Sequence, residues 1–380
     1  MKQGTLFSRH FVFGLLIAIG ITGTSAQKVV RDPDTAAPLP GKFAWAQAEA
    51  KKRGFESGYW VGYSIQRQMS EHSYIGSFYS DPRRNRPSLS ELVTGARQLD
   101  IRADGITGDD NDNDVVTNDD DGRGSGRKVA KEVGILLRFS GKPSIEPDKI
   151  KISSLSLRVD FEDAPLLWLG GAADGESIEF LKARFSASQW TEVKKELVRA
   201  IGLHEPSPAV FTFLRDLLTS KETGSVREES AFWLGQLNTD EALGALMHAA
   251  ETDASEKVKE QAVFGISQME GNRGLEGLIK LAKESPEREV GKKAAFWLGQ
   301  RASEKAISTL KDIVYSSKDT ELQKNALFAL TQCSNGGAVE DVIKIATTHP
   351  NPKIRKEAIF WLGQSEDKRA VEALIDIVRH

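Results

Sequence analysis

The side chains best placed to do chemistry in this 380-residue chain are an acidic cluster, an isolated His-Glu pair and a recurring pair of Phe and Gln. Asp110, Asp112 and Asp114 occupy alternate positions, with Asn118 and Asp121 at the ninth and twelfth places. Oxygens at that spacing can wrap a hard cation such as calcium. Val115, however, stands where the sharp turn of such a loop needs glycine, and Asp121 replaces the bidentate Glu. The segment therefore reads as a solvated acidic loop, with a calcium-dependent binding or adhesion module as the alternative function. His204-Glu205 stands alone before Pro206, and none of the six His falls in a His-Glu-x-x-His zinc motif. The chain has no Gly-x-Ser-x-Gly elbow and no phosphate-cradling Gly-x-x-x-x-Gly-Lys loop. Cys333 is the single cysteine, so an internal disulfide and every multi-cysteine metal site are excluded, and its place in a helical pattern predicts a buried thiol. No catalytic residues and no cofactor are expected, and the chain is read as not an enzyme.

The third feature is periodic. Segments beginning at Val226, Val258, Val290, Leu322 and Ile354 are spaced 32 residues apart. In each, a Phe falls six residues on and a Gln ten residues on: Phe232 and Gln236, Phe264 and Gln268, Phe296 and Gln300, Phe328 and Gln332, Phe360 and Gln364. An exposed row of rings marks a partner site, and carboxamides beside it can bond a peptide backbone. The competing reading is that each Phe folds onto the next unit, since burying it is favourable by roughly 1.5–3 kcal/mol.

The elements that position these residues follow from the period. Ile354, Ala358, Trp361 and Leu362 form one apolar stripe at helical spacing, and Val371, Leu374, Ile375 and Val378 form another. A 32-residue helix–turn–helix period is the mark of a solenoid whose units bury their apolar faces only by stacking. Asn351-Pro352 and Ser285-Pro286 predict helix starts, and Asp240, Asn272 and Asp367 mark turns. An earlier, degenerate unit runs through Val193, Leu197, Ile201 and Leu203 and then Val210, Phe213, Leu214 and Leu217, giving about six hairpins. Trp233, Trp297 and Trp361 alternate with Gly265 and Ala329, a large–small alternation that predicts interdigitating helices.

The strings VREESAFWLGQLNTDEALGAL and IRKEAIFWLGQSEDKRAVEALIDIV resemble the bacterial HEAT repeat, including the variety first described in phycobilisome lyases, over residues 190–380. The resemblance implies an α-solenoid whose first helices line a concave wall, and hence a protein-binding scaffold. A lyase activity would rest on analogy of fold alone. HEAT metalloenzymes that use several His-Glu pairs as iron ligands are poorly matched by a chain with the single pair His204-Glu205.

Beside the row the polar residues change along the array. Glu228, Glu229 and Glu260 come first and Lys292, Lys293, Lys324 and Lys356 later, so the wall is expected to run from acidic to basic and to suit a partner of opposite gradient, such as another copy of the chain. Nothing polar caps the last hairpin, which suggests self-association through the C-terminal repeat.

The N-terminal half reads differently. Residues 27–40 hold three prolines and suggest a linker. Residues 41–185 suggest a small β-rich domain, with a helix over 41–53 and a strand pair over Tyr59–Met69 and His72–Tyr79. Further strands are expected at Val129–Phe139, Lys151–Phe161 and Leu166–Leu169, around a disordered Asp- and Gly-rich loop at about 100–127. The solenoid is placed at 186–380.

Residues 1–26 read as an export signal: Lys2, Arg9 and His10 precede an apolar run from Phe11 to Ile21, and Thr24-Ser25-Ala26 offers a cleavage site. The run is about half the 20 residues that a membrane span needs, so no stable membrane anchor is expected. Cleavage would move the formal charge from −3 to about −5, without the basic footprint of a nucleic-acid binder. The whole reads as a mainly α extracytoplasmic protein, periplasmic or secreted, that binds a protein partner through its solenoid.

Overall fold

The structure is a computed structural model that describes residues 28–34, 36–55, 57–76, 87–95, 127–140, 146–301, 303–333 and 338–379. The export signal at 1–26 and the loop carrying Asp110, Asp112 and Asp114 lie outside the described residues.

The C-terminal part is the expected stack of hairpins. In chain order they are α4 (Thr191–Gly202) with α5 (Pro208–Leu218), α6 (Gly224–Leu237) with α7 (Asp240–Thr252), and α8 (Glu256–Gln268) with α9 (Gly271–Glu284). Then come α10 (Arg288–Arg301) with α11 (Glu304–Ser316), α12 (Thr320–Thr331) with α13 (Val339–Thr348), and α14 (Pro352–Gly363) with α15 (Lys368–Arg379). First helices touch first helices and second helices touch second helices, so the hairpins form two layers. Side-chain caps fix several starts: Asn351 Oδ1 accepts Lys353 N–H at 3.0 Å just ahead of Pro352, and Thr239 and Ser303 cap α7 and α11. Ser285-Pro286 departs from expectation, because Ser285 ends α9 and α10 begins only at Arg288. Asn272 likewise lies inside the first turn of α9 rather than in a turn between helices.

The alternation of Trp with small residues sets two kinds of joint. A Cβ on Gly235 would sit 2.5 Å from the Gly265 carbonyl oxygen, so α6 and α8 meet backbone to backbone; Gly299 stands in the same relation to Ala329, at 2.6 Å, between α10 and α12. At the intervening joints an indole fills the gap: Trp297 packs on Phe264 at 5.2 Å between ring centres, and Trp361 on Phe328 at 4.9 Å. Tight and wide joints therefore alternate, and the true structural period is two hairpins.

Ahead of the stack lies one five-stranded sheet in the order β1-β5-β2-β3-β4, formed by β1 (Val29–Arg31), β2 (Tyr59–Ser70), β3 (Lys128–Phe139), β4 (Lys149–Ser154) and β5 (Leu166–Gly171). The expected linker thus carries an edge strand, since Val29–Arg31 pairs in parallel with Leu166–Trp168. Tyr59–Ser70 does not pair with the residues that follow it. After Ser70 the chain turns, residues 71–76 are not strand, and β2 runs antiparallel to β3 along its full length. The strand expected over Lys151–Phe161 stops at Ser154; the residues beyond it fold back with α2 (Leu89–Thr94) over the sheet, where Trp60, Leu136, Leu166 and Trp168 form a second core.

The other sheet face packs on α1 (Leu39–Lys52) and α3 (Asp174–Ala187), and its core runs without a break into the helical stack. The buried core is therefore continuous across residues 185 and 186, which lie within α3. Helix α3 touches β2, α1, α4 and α5, and β4 touches α4, so sheet and α3 together cover the first hairpin. Tyr63 Oη meets Ser177 Oγ at 2.9 Å across this junction, and burial pushes the phenol well above its usual range. Arg67 on β2 donates to the Leu203 and His204 carbonyls, satisfying the end of α4, while Glu205 Oε1 accepts Gln68 N–H at 2.5 Å. His204 is fully buried; Nδ1 bonds the Ala200 carbonyl at 2.9 Å, Nε2 has no partner, and burial lowers the imidazole below its usual range against the opposing charge of Asp174. The His-Glu pair thus joins the sheet to the solenoid.

Candidate functional site

The recurring Phe stand on the first helices α6, α8, α10, α12 and α14; Gln236, Gln268 and Gln300 lie in the last turns of α6, α8 and α10, and Gln332 and Gln364 are the C-caps of α12 and α14. Four residues separate each Phe from its Gln, so both lie on one side of each helix, and the stacking of first helices lines them up into a row.

The Phe are neither fully exposed nor fully buried. Phe232, Phe264, Phe296 and Phe328 are half-buried, and Phe360 is 54% exposed. The rings hide one face on each other: Phe232 stacks on Phe264 at 6.3 Å and 15°, Phe264 leans on Trp297, and Trp297 meets Phe296 edge-on at 5.2 Å. Phe328, Trp361 and Phe360 repeat the arrangement at the end of the array. Such ring pairs contribute about 0.5–1.5 kcal/mol beyond area burial, so the row is held rigid before anything binds. Stacking needs the inner faces; the outer ones remain open.

The Gln row is exposed throughout, at Gln236, Gln268, Gln300, Gln332 and Gln364. The hydrogen bonds seen for these side chains are local: Gln268 Nε2 donates to Ser267 Oγ at 3.1 Å and Gln332 Nε2 to Thr331 Oγ1 at 3.4 Å. Inter-unit packing therefore does not account for a carboxamide at this position in five of the six hairpins.

The expected charge gradient is largely absorbed within the wall. Glu229 takes the Trp233 indole N–H at 2.9 Å and faces Arg199, which also holds Glu196 at 2.8 Å. Burial raises Glu196 above the usual carboxylate range despite that guanidinium. Glu228 is half-buried, and Glu260 pairs across a joint with Lys293 at 3.2 Å. Lys292 and Lys324 pair within their own helices, with Glu289 at 2.9 Å and Glu321 at 3.1 Å, and Lys356 is exposed. Exposed pairs of this kind contribute about 0–1 kcal/mol and soften the field a partner would meet.

Sequence reasoning missed a cavity of about 440 Å³ at the last wide joint, lined by Thr331, Gln332, Cys333, Trp361, Gln364 and Asp367 among others. Trp361 Nε1–H is buried there without a partner, whereas the equivalent N–H of Trp233 has Glu229. Cys333 is buried as expected, its thiol pushed up by burial. Among the described residues no group of His, Cys, Asp and Glu is arranged to hold a metal, and no helix is long and apolar enough to cross a membrane.

Comparison with known proteins agrees with this architecture. Residues 178–267 and 313–380 match the family model for HEAT repeats. No curated protein matches the chain by sequence. Among solved structures it is similar to the CpcE–CpcF complex of phycocyanin lyase from Nostoc sp. (18% identity, covering 53% of this chain and 80% of that one, TM-score 0.29). It is also similar to the YibA protein of Escherichia coli (15% identity, 54% and 76% covered, TM-score 0.32) and to human deoxyhypusine hydroxylase in complex with glycerol (19%, 55% and 79%, TM-score 0.24).

Proposed function

From the premise that the C-terminal half of this chain is a HEAT-repeat α-solenoid, we propose that it is an exported scaffold that binds a protein partner along the Phe and Gln row and catalyses no reaction. The observation that carries this reading is the Gln row, exposed in each of the five hairpins that carry it and without a hydrogen bond seen across their joints. A row of carboxamides over a half-covered aromatic floor suits a polypeptide: the rings take apolar side chains, and each amide can both donate to and accept from a backbone. The first-helix wall also supplies the regular spacing on which an extended or helical segment can be read unit by unit. The export part of the proposal rests on the N-terminal pattern ending at Ala26.

The test compares the chain with a Gln268→Ala, Gln300→Ala, Gln332→Ala variant in affinity capture from an envelope extract. These side chains are exposed, so the melting temperature should hold while the captured protein is lost. Equal capture by both would remove the row from the binding surface. N-terminal sequencing of the protein from the periplasmic or medium fraction should begin near Gln27; a chain retaining Met1 in the cytoplasmic fraction would refute export.

A further inference from the structure

Because tight and wide joints alternate, the wide joints α8–α10 and α12–α14 can be compared residue by residue. At the first, the corner between Gln268 and Gln300 is filled by Arg301: Nη1 donates to the Gly271 carbonyl at 2.9 Å, and Nη2 donates to the carbonyls of Ser267, at 2.9 Å, and Met269. Met269 and Leu278 are fully buried in the same joint. At the second, the residues in register are smaller: Ser365 for Arg301, Cys333 for Met269, Val339 for Leu275 and Val342 for Leu278, with only Ala338 gaining a methyl over Gly274. These exchanges leave the cavity of about 440 Å³, bordered by Gln332 and Gln364 of the row. The carbonyls in register with those of Ser267 and Met269 belong to Thr331 and Cys333; both residues line the cavity, and among the described residues neither carbonyl accepts a hydrogen bond. They lie at the C-terminal end of α12, the negative end of its dipole.

We propose that this cavity is a guanidinium site: an arginine side chain of the bound polypeptide enters between Gln332 and Gln364 and does there what Arg301 does in its own joint, donating to the Thr331 and Cys333 carbonyls. The inference rests on the row being a polypeptide-binding surface, and it adds one required residue to the partner. An apolar side chain would leave the two carbonyls buried and unserved, whereas the planar fork of a guanidinium reaches several acceptors at once, as Arg301 shows; a lysine ammonium spans them less well. The charges at the rim do not oppose a cation. Asp367 lines the cavity and Arg369 stands beside it, but that guanidinium is shared between Asp367, at 2.7 Å, and Glu340, at 3.3 Å, so two carboxylates face one cation. Glu366 and Lys368, both exposed, offset each other on either side of Asp367.

The probe is N-acetyl-L-arginine amide, titrated into the full chain and read by the indole N–H resonance of Trp361, which is identified by its loss in Trp361→Phe. A saturable shift with a millimolar dissociation constant is expected for a single side chain, and N-acetyl-L-lysine amide should bind at least about threefold more weakly. Ser365→Arg supplies the side chain from within the molecule, as Arg301 does, so it should abolish the titration without lowering the melting temperature. Should that variant misfold, Cys333→Met restores the other large residue of the equivalent joint and is expected to abolish the titration in its place. The absence of a saturable shift up to about 50 mM probe, equal binding of the two amides, or a titration undiminished in the folded variant overturns the proposal. The capture experiment with Gln268, Gln300 and Gln332 replaced reads the row separately. Capture lost there with no probe bound here removes the pocket and leaves the row; capture unchanged there with the probe bound here removes the row and keeps the guanidinium site.

Discussion

Val210 and Leu214 on α5 and Val378 on α15 lie on helices of the same kind, at opposite ends of one stack. The first two are fully buried, on a helix that touches α3 on one side and α6 and α7 on the other; the last is almost fully exposed. A HEAT hairpin has no means of finishing itself, since its apolar residues are disposed for a neighbour on either side. Closing an end takes a different element. Here it is a sheet whose own two faces are both buried, one by the solenoid and α1, the other by α2 and the chain after β4. The N-terminal half is thereby explained structurally before any separate role is assigned to it.

The contrast between the ends can be broken by mutation, and the largest effect is expected in the cap. Phe180 on α3 packs against Phe43 at 5.1 Å and edge-on to Tyr63 at 6.1 Å, so Phe180→Ala should cost about 3–5 kcal/mol in chemical denaturation. Val378→Ala, by comparison, should stay within about 0.5 kcal/mol. Next in size comes a reversal of sign between glycines at equivalent positions. Gly235→Ala forces α6 away from α8 and should destabilise by about 1–3 kcal/mol. Gly363→Ala, where a Cβ meets nothing within 4 Å, should leave stability unchanged or raise it by up to about 1 kcal/mol. Equal losses would mean that the last hairpin is already covered by a helix in solution.

The cap should also be the pH-sensitive end. His204 is held neutral by burial, so its folded pKa lies below the ordinary value of 6.5. The unfolded chain then takes up the proton first. Stability should be flat above about pH 7, fall as pH drops through the ordinary value, and level off once the folded imidazole also protonates. His204→Gln should flatten that slope in thermal melts across pH 5 to about 7. The smallest effect belongs to the array itself. Arg288 hydrogen-bonds Asp319 and holds it down to about 2, so the pair's contribution is present above the ordinary carboxylate range and lost only as pH falls toward that value. Arg288→Ala should make the smallest change in acid stability of the set, measured in melts below the ordinary carboxylate range, because the guanidinium is exposed to solvent.

How much of this was legible in the sequence depended on the range of the contacts. The hairpins were readable because Phe232, Phe264 and the other members of the series report a local, repeated environment, and the Trp–Gly alternation gave the joints. The strands over Tyr59–Met69, Val129–Phe139 and Leu166–Leu169 were readable too, but their order was not, because β1, β5 and β2 pair across more than a hundred residues of chain, from Val29 to Leu166 and from Trp60 to Leu166, and no local pattern encodes a parallel partner. Helix α3 was missed for another reason: Ile178, Phe180, Leu181 and Phe185 are buried between the sheet and α4, which widens the apolar face beyond a single stripe. Of the candidate site, the sequence placed the row but not its half-exposure, which depends on the indole contributed by the neighbouring hairpin.

Alternating joints impose parity on the array. A hairpin of the Trp type presents Gly on its far side, and a hairpin of the small-residue type presents the surface that accepts the next Trp, so neighbours fit only in alternation. Lengthening or shortening such an array by a single hairpin would bring two bulky edges, or two hollow ones, face to face; a change by a pair preserves every contact. Duplication and deletion in this solenoid are therefore expected to proceed in steps of two hairpins, and a designer who grafts units onto it should count them as even or odd before choosing their sequence.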